Sequence, residues 1–285
     1  MVTMNLSPLF GYVFLFFLGT CLGSYLNSWM WRTYKQIDKG SDLLSPTAHT
    51  PLPRSQRGIQ LPSRSVCVHC HRQLEWFENI PLVSFLILRG KCRTCKKIIP
   101  MDYFVVELVV GLGFLFLGWY HFNSNQIVPA LLFRDFFFFS LFTVIFAYDL
   151  KYYLIISNLV WVGSIVAFVV SYFFLGFSTY SLLLGILIAS GFFLLQYLVS
   201  RGKWIGGGDV RLGVVMGALL GFPNILVALF LAYVGGGLIS LPLVIFKKKG
   251  MQSQIPFGTF LSVATLVAML WGRQVADWYV GLIGL

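Results

Sequence analysis

Polar segments break the chain into roughly eight apolar stretches, near 9–31, 103–120, 128–148, 154–176, 180–199, 211–222, 224–246 and 257–272. No other feature restricts its fold so severely. A helix that crosses a bilayer needs about 20 apolar residues, and lipid offers the main chain no hydrogen-bond partner outside the segment itself. The pattern predicts an all-α, polytopic membrane protein with about eight transmembrane helices. The sixth stretch is short and Pro223 parts it from the seventh, while the segment 274–285 is too short to span and is expected at the interface. With 58% hydrophobic and 11% charged residues, the chain carries more apolar surface than a water-soluble core can hide. The first stretch has no basic region before it and no small-residue cleavage site, which predicts a retained helix and not a removed signal.

The net charge of +11 would suit nucleic acid if it were clustered on one soluble face, but the cations lie in loops beside apolar stretches. That distribution writes membrane orientation. The segment 32–100 holds twelve Lys and Arg and is therefore expected in the cytoplasm; counting spans from it, only Arg134 and Arg273 of the 21 basic residues fall on the opposite side. Three parts follow: a first transmembrane helix (1–31), a cytoplasmic loop domain (32–100) and a transmembrane domain (101–285). The partner expected from this distribution is the lipid bilayer, with no nucleic acid.

Two acids end up at the cytoplasmic face by this count. Asp149 closes an apolar run in Ala147-Tyr148-Asp149-Leu150-Lys151, and Asp209 follows Gly206, Gly207 and Gly208 just before another run begins. Each has an ordinary explanation. An Asp ahead of a helix caps it by accepting an amide hydrogen bond, and an interfacial Asp pairs with a nearby Lys or Arg. A cap requires no glycines, however, whereas glycine permits close approach of another main chain. Two carboxylates sharing a poorly hydrated site cannot both ionise readily, so one can take a proton from water while the other polarises a carbonyl. The pair is thus equipped to hydrolyse a peptide bond without a metal.

Four of the five cysteines form two Cys-x-x-Cys pairs, Cys67 with Cys70 and Cys92 with Cys95, separated by 21 residues. Two such knuckles can bring four sulfurs together tetrahedrally around a structural zinc ion with no open position. Free thiols or a redox pair are the alternative, and His69 or His71 could stand in for one sulfur. A cytoplasmic location disfavours disulfides.

Glu107 and Asp135 lie inside apolar stretches, where ionisable groups tend to mark function. Arg134 beside Asp135 points to a local ion pair; Glu107 is a second-tier candidate for the site, as is Asn27, which can hydrogen-bond across a helix contact. Gly19 and Gly23 form a small-xxx-small stripe suited to close helix packing, with Cys21 as one more small packing residue. Residues 36–65 are polar, rich in Ser, Thr and Pro, and read as a flexible insertion without a role for His49.

Taken together these motifs resemble the type IV prepilin peptidase family, membrane aspartyl peptidases of type IV pilus and type II secretion systems. The resemblance is carried by Gly23-Ser24-Tyr25-Leu26-Asn27 through Arg32, the four cysteines, Asn79-Ile80-Pro81-Leu82, Leu88-Arg89-Gly90-Lys91-Cys92 and Tyr103 through Glu107. It continues in Asp149, Gly206-Gly207-Gly208-Asp209 and Ile255-Pro256-Phe257-Gly258. It implies an inner-membrane endopeptidase with Asp149 and Asp209 as catalytic residues, cutting the basic leader of prepilins or pseudopilins after a glycine at the cytoplasmic face. It also implies N-methylation of the new N-terminal residue with S-adenosylmethionine, an activity linked to the cysteine-bearing loop; no methyl-donor fingerprint stands out in the residues themselves. The chain departs from the family pattern at Ser157, where Pro is usual and the loop after Asp149 is expected to loosen, at Val68-His69, and in the length of 36–65. The alternatives are a peptidase without methyltransferase activity, a transporter whose acids line an ion path, and a scaffold whose working part is the zinc loop.

Overall fold

The computed structural model describes residues 8–44, 65–123, 128–245 and 256–283. Among them the architecture is helical: α1 (Pro8–Leu44), the short α2 (Val83–Ile87), α3 (Met101–Phe122), α4 (Pro129–Tyr152), α5 (Ser157–Val169), α6 (Thr179–Ser200), α7 (Gly207–Leu220), α8 (Asn224–Ile245) and α9 (Phe257–Ile283). α5 runs on through a single π-helical turn, Val170–Phe174. Two compact units result, Met1–Asn123 and Ser124–Leu285.

Among the described residues seven helices are long and apolar enough to cross a membrane, so the chain is a multi-pass membrane protein. The expected span that does not qualify is the sixth, α7, whose 14 residues rise only about 21 Å at 1.5 Å each, short of the roughly 30 Å hydrocarbon layer. α7 is instead the centre of its unit: Leu212, Val215, Met216, Leu219 and Leu220 are all buried. Two other expectations need correcting. α1 does not stop at residue 31 but continues to Leu44, because 32–44 contains no Pro to remove a main-chain donor and polar side chains are compatible with a helix. The expected flexible insertion is therefore helical in 36–44, while its remainder with His49 lies outside the described residues, as do Lys247 to Lys249 and Ile255. The segment after 273 is not a separate interfacial piece either. α9 is continuous to Ile283, with Arg273 and Asp277 one turn apart at 4.0 Å.

Glycine decides how closely the helices meet. In the first unit a Cβ on Gly19 would lie 2.7 Å from the Val110 carbonyl, and one on Gly23 would lie 2.9 Å from Cα of Glu107. The small stripe is thus the α1–α3 contact, which is why α3 belongs to the first unit and not with the helices that follow. Asn27 donates from Nδ2 to the Tyr103 carbonyl at 2.9 Å and fixes the same pair. Cys21, expected in that seam, is exposed on the other side of α1. In the second unit Gly185, Gly213 and Gly217 bring α6 and α7 together, and a Cβ on Gly217 would meet the Ile186 amide nitrogen at 2.4 Å.

Gly217→Val should therefore be strongly destabilising, since main chain cannot yield as a side chain can; overpacking a core typically costs about 1–3 kcal/mol or more. Gly191→Ala, in α6 with nothing within 4 Å of the new methyl, should leave stability unchanged or raise it slightly through helix propensity. Thermal unfolding of the two variants in detergent checks the contrast.

Candidate functional site

Asp149 lies in the last turn of α4, and its main-chain carbonyl accepts the Tyr153 amide at 2.9 Å where the chain turns left-handed out of the helix. Its side chain reaches the first turn of α9. Oδ2 accepts the Thr259 amide at 3.0 Å, and Cα of Gly258 is so close that an added Cβ would stand 2.8 Å from the same oxygen. The unpaired amides of a helix N-terminus favour an anion there. The carboxylate is thus held by α9, not by Lys151 as the ordinary reading of an interfacial acid has it.

Asp209 is in the first turn of α7, and Gly206 is the residue before it begins. The expectation that Asp209 precedes the helix is corrected by one turn. The side chain reaches back, with Oδ2 accepting the Gly206 amide at 3.1 Å. Capping is therefore real, but it occupies one carboxylate oxygen and leaves the question of the glycines. Gly208 is required sterically, since a Cβ there would lie 2.9 Å from Cβ of Ile155, whereas Gly207 has nothing within 4 Å. Gly206 has φ −77° and ψ 153°, a conformation open to any residue.

Ile155 joins the two acids' surroundings. It packs against Gly208 with its Cβ and approaches Gly258 with Cδ1, where a Cβ would come within 3.2 Å. Asp149 and Asp209 are both buried, at 5% and 8% exposure, and the charge of Asp149 reaches Asp209. Ser157 does not loosen the loop after Asp149, for it opens α5 and accepts a hydrogen bond from Arg211 of α7. The structure adds residues to which the sequence reading gave no role: Ile155, Gly258 and Thr259, and a hydrogen-bonded pair, Gln196 and Tyr233, at 2.8 Å. Tyr233 meets Phe257, next to Gly258, edge to face with ring centroids 5.1 Å apart. The late Phe257-Gly258 motif was the available signal for this wall.

The other buried acids are satisfied locally. Asp135 pairs with Arg134 at 2.6 Å, as expected. Glu107 lies in the first unit and accepts the Leu82 amide on Oε2 at 2.9 Å. Leu82 has φ 59° and ψ −48°, and the Val83 amide bonds back to the Pro81 carbonyl at 2.6 Å. This is a γ-turn of the strained kind, held in place by a carboxylate from α3.

The cysteine segment is built twice on one plan. The Cys67 amide bonds to the Arg72 carbonyl at 2.9 Å and the His71 amide to the Cys67 carbonyl at 3.0 Å; the Cys92 amide bonds to Lys97 at 2.9 Å and the Lys96 amide to Cys92 at 3.0 Å. A single antiparallel bridge closes each knuckle, Val66 with Gln73 and Lys91 with Ile98. The sulfurs of Cys67, Cys70, Cys92 and Cys95 all lie within 4.8 Å of one another, with Cys67 and Cys95 at 3.9 Å. A tetrahedron of Zn–S bonds of about 2.3 Å has edges of about 3.8 Å, so the cluster fits a metal ion. His69 turns away to the Ile98 carbonyl at 3.3 Å. The Cys95 and Thr94 amides push the Cys92 thiol down to about 6 against the effect of its burial. The Lys97 amide favours an ionised Cys95, but burial and the neighbouring sulfurs prevail and push that thiol up to about 11.

Residues 17–121 match the Bacterial Peptidase A24 N-terminal domain and 136–241 the Type IV leader peptidase family. A prepilin leader peptidase/N-methyltransferase of Stutzerimonas stutzeri is 30% identical over 92% of this chain and 91% of its own. A protein of that name from Legionella pneumophila is 30% identical over 76% of each chain, and one from Bacillus subtilis is 29% identical over 76% of this chain and 85% of its own. No solved structure gives a match. A multi-pass membrane peptidase is thereby defined. The chain belongs to the type IV leader peptidase family, which sets the transporter and the bare scaffold aside.

Beside the knuckles, Glu78 pairs with Arg72 at 2.6 Å and accepts the Glu75 amide at 2.8 Å. Burial raises its pKa, but the Glu75 amide and the Arg72 guanidinium together hold it below the ordinary 4.5. A carboxylate lowered in this way stabilises the fold fully above its ordinary value and loses that contribution as pH falls through the lowered one. The protection of residues 65–80 from hydrogen exchange, taken relative to the intrinsic rate at each pH, should therefore be flat from pH 8 to 5 and fall below pH 4.5, whereas Glu78→Gln should be less protected at neutral pH and lack this acid step.

Proposed function

We propose that this protein is an aspartyl endopeptidase of the cytoplasmic membrane. It cleaves the basic leader from type IV prepilins or pseudopilins after a glycine, at the cytoplasmic face, and then methylates the new N-terminal residue with S-adenosylmethionine. The observation that carries the proteolytic reading is the meeting of Asp149 and Asp209, far apart in sequence, in one buried site whose Ile155 touches the glycine beside each. The family supplies the substrate class and the methyl transfer, through the names its members carry. The predominance of Lys and Arg in 32–100 supports the cytoplasmic face.

In this reading the two carboxyl groups share one proton, as close acids in a poorly hydrated site do. The ionised one removes a proton from water while the protonated one polarises the scissile carbonyl. Water oxygen bonds to the carbonyl carbon, the C–N bond breaks, and a proton passes to the departing amine. Amides hold each carboxylate by Oδ2, Thr259 for Asp149 and Gly206 for Asp209, which fixes the orientation that proton transfer needs. The open side of Gly207 provides main chain that an extended peptide can approach. Cys67, Cys70, Cys92 and Cys95 would hold a zinc ion through four thiolates; with no ligand position open, that ion supplies folding energy to the loop and no chemistry to the cut.

Asp149→Asn and Asp209→Asn should each reduce leader removal from a co-expressed prepilin by at least about 100-fold while the protein still inserts. Normal processing by both would end the aspartyl reading. Gly258→Ala, which presses a methyl group onto Oδ2 of Asp149, should slow cleavage in the same mass-spectrometric assay, which also reports the cut position and any added methyl group. Elemental analysis should find about one zinc per chain, lost on changing Cys92 and Cys95 to Ser; equal zinc in both would reject the metal.

A further inference from the structure

The cut is read above as falling after a glycine, and one side chain of the second unit stands where that choice can be enforced. The connection 153–156 leads from the end of α4, which carries Asp149, to the start of α5. Tyr153 and Leu154 are exposed there, whereas Ile155 turns inward and packs against the core. Its Cδ1 would lie 3.2 Å from a Cβ on Gly208 and 3.2 Å from one on Gly258. We infer that Ile155 is the residue that restricts the peptidase to glycine before the scissile bond, because it fills the space that a larger residue would need. The inference rests on the proteolytic reading above and assigns its specificity to one side chain.

Three observations carry the assignment. The first is where Ile155 ends. A Cβ on Gly258 would stand 2.8 Å from Oδ2 of Asp149 and 3.2 Å from Cδ1 of Ile155, so the carboxylate and the tip of the isoleucine border the same small volume. The second is what the chain gives up for it. The three atoms nearest to a Cβ on Gly208 all belong to Ile155, at 2.9, 3.2 and 3.3 Å, so this side chain requires glycine, a poor helix former, in the first turn of α7. A smaller residue at 155 would lift that requirement. The third is that the side chain has little freedom to yield. Its connection is fixed before it by the Tyr153 amide on the Asp149 carbonyl at 2.9 Å and after it by the Val160 amide on the Ile156 carbonyl at 3.2 Å, and a β-branched side chain has a restricted choice of rotamer.

The chemistry of the cut turns this position into a filter. A carbonyl polarised by one acid and attacked by water that the other activates must lie within about 3 Å of a carboxyl oxygen. The first side-chain carbon of the residue that owns the carbonyl is only about 2.5 Å from the carbonyl carbon, so it enters the volume that Ile155 borders. Hydrogen fits there, and a methyl group meets the isoleucine. Glycine offers no side chain that a pocket could attract, and a site can favour it over other residues by clashing with what they add. A firm apolar wall beside the acids supplies that clash.

The test is the kcat/KM of the full-length protein in detergent for one prepilin and for its variants with alanine or valine in place of the glycine before the cut, with the products read by mass spectrometry. The wild type should cut the alanine form at least about tenfold more slowly than the glycine form, and the valine form more slowly still. Ile155→Ala should raise the alanine-to-glycine ratio at least about tenfold, and Ile155→Val should raise it by less. The ratio is taken within one enzyme, so a general loss of activity from a loosened site cancels. Gly207→Ala, whose methyl group meets open space, should leave the ratio where it is. An unchanged ratio in both Ile155 variants, equal loss of all three substrates in both, a shift in Gly207→Ala with none at Ile155, or a wild type indifferent to the residue before the cut overturns the assignment. If the wild type keeps to glycine while the Ile155 variants do the same, the proteolytic reading stands and its specificity lies elsewhere; if Asp149→Asn and Asp209→Asn still cut the glycine form normally, that reading itself falls.

Discussion

The second unit depends on how closely α7 approaches α6. Gly217 places main chain against the Ile186 amide nitrogen, and Gly213 does the same against Ser190, so the two helices meet along their backbones and not through interleaved side chains. Such contact is available to small residues alone. It seats a helix of 14 residues, too short to cross a bilayer by itself, among longer neighbours. The beginning of α7 is thereby held beside the α4–α5 connection and the beginning of α9, where Asp209, Ile155 and Gly258 meet. A longer α7, or a looser one, would carry its first turn away from Asp149.

Electrostatics then acts on a frame that packing has already set. Asp149 lies where α4 ends and α9 starts, and it answers the unpaired amides of α9; Asp209 answers the amide just before its own helix. Both acids thus have a structural duty that keeps them oriented, and the same duty explains how a carboxylate survives burial among Phe, Leu and Ile. The first unit uses the same device with Glu107, which holds the Leu82 turn from α3. In each case one carboxylate oxygen serves the fold.

The spans were legible because lipid imposes a length, and a run of about 20 apolar residues has few other uses. Helix ends were less so. Past Arg32 the hydrophobic signal stops while the helix continues to Leu44, since polar residues can propagate a helix as apolar ones do. α7 was recognisable as short, but its burial was not, because apolar residues facing lipid and apolar residues facing protein look alike. The clustering of the four cysteines could be read from spacing alone, and a common place for the two acids was suggested by the glycines before one of them and by the count of basic residues that assigned both to one face. Thr259 was beyond reach, for the amide that holds Asp149 belongs to the main chain and leaves no trace in residue type. The glycines of 206–208 were read as one group, yet the structure separates Gly208, needed by Ile155, from Gly207, which faces open space.

The doubled plan of the cysteine segment has its own implication. Each knuckle closes its ladder with bonds internal to itself, from Ser65 to Leu74 in one and from Gly90 to Ile99 in the other. Register within a half is therefore independent of what separates the halves. So long as Glu78 keeps its pairing with Arg72, the stretch between them can change in length over evolutionary time without shifting the ladder of either half, whereas one residue gained inside a knuckle would dismantle it.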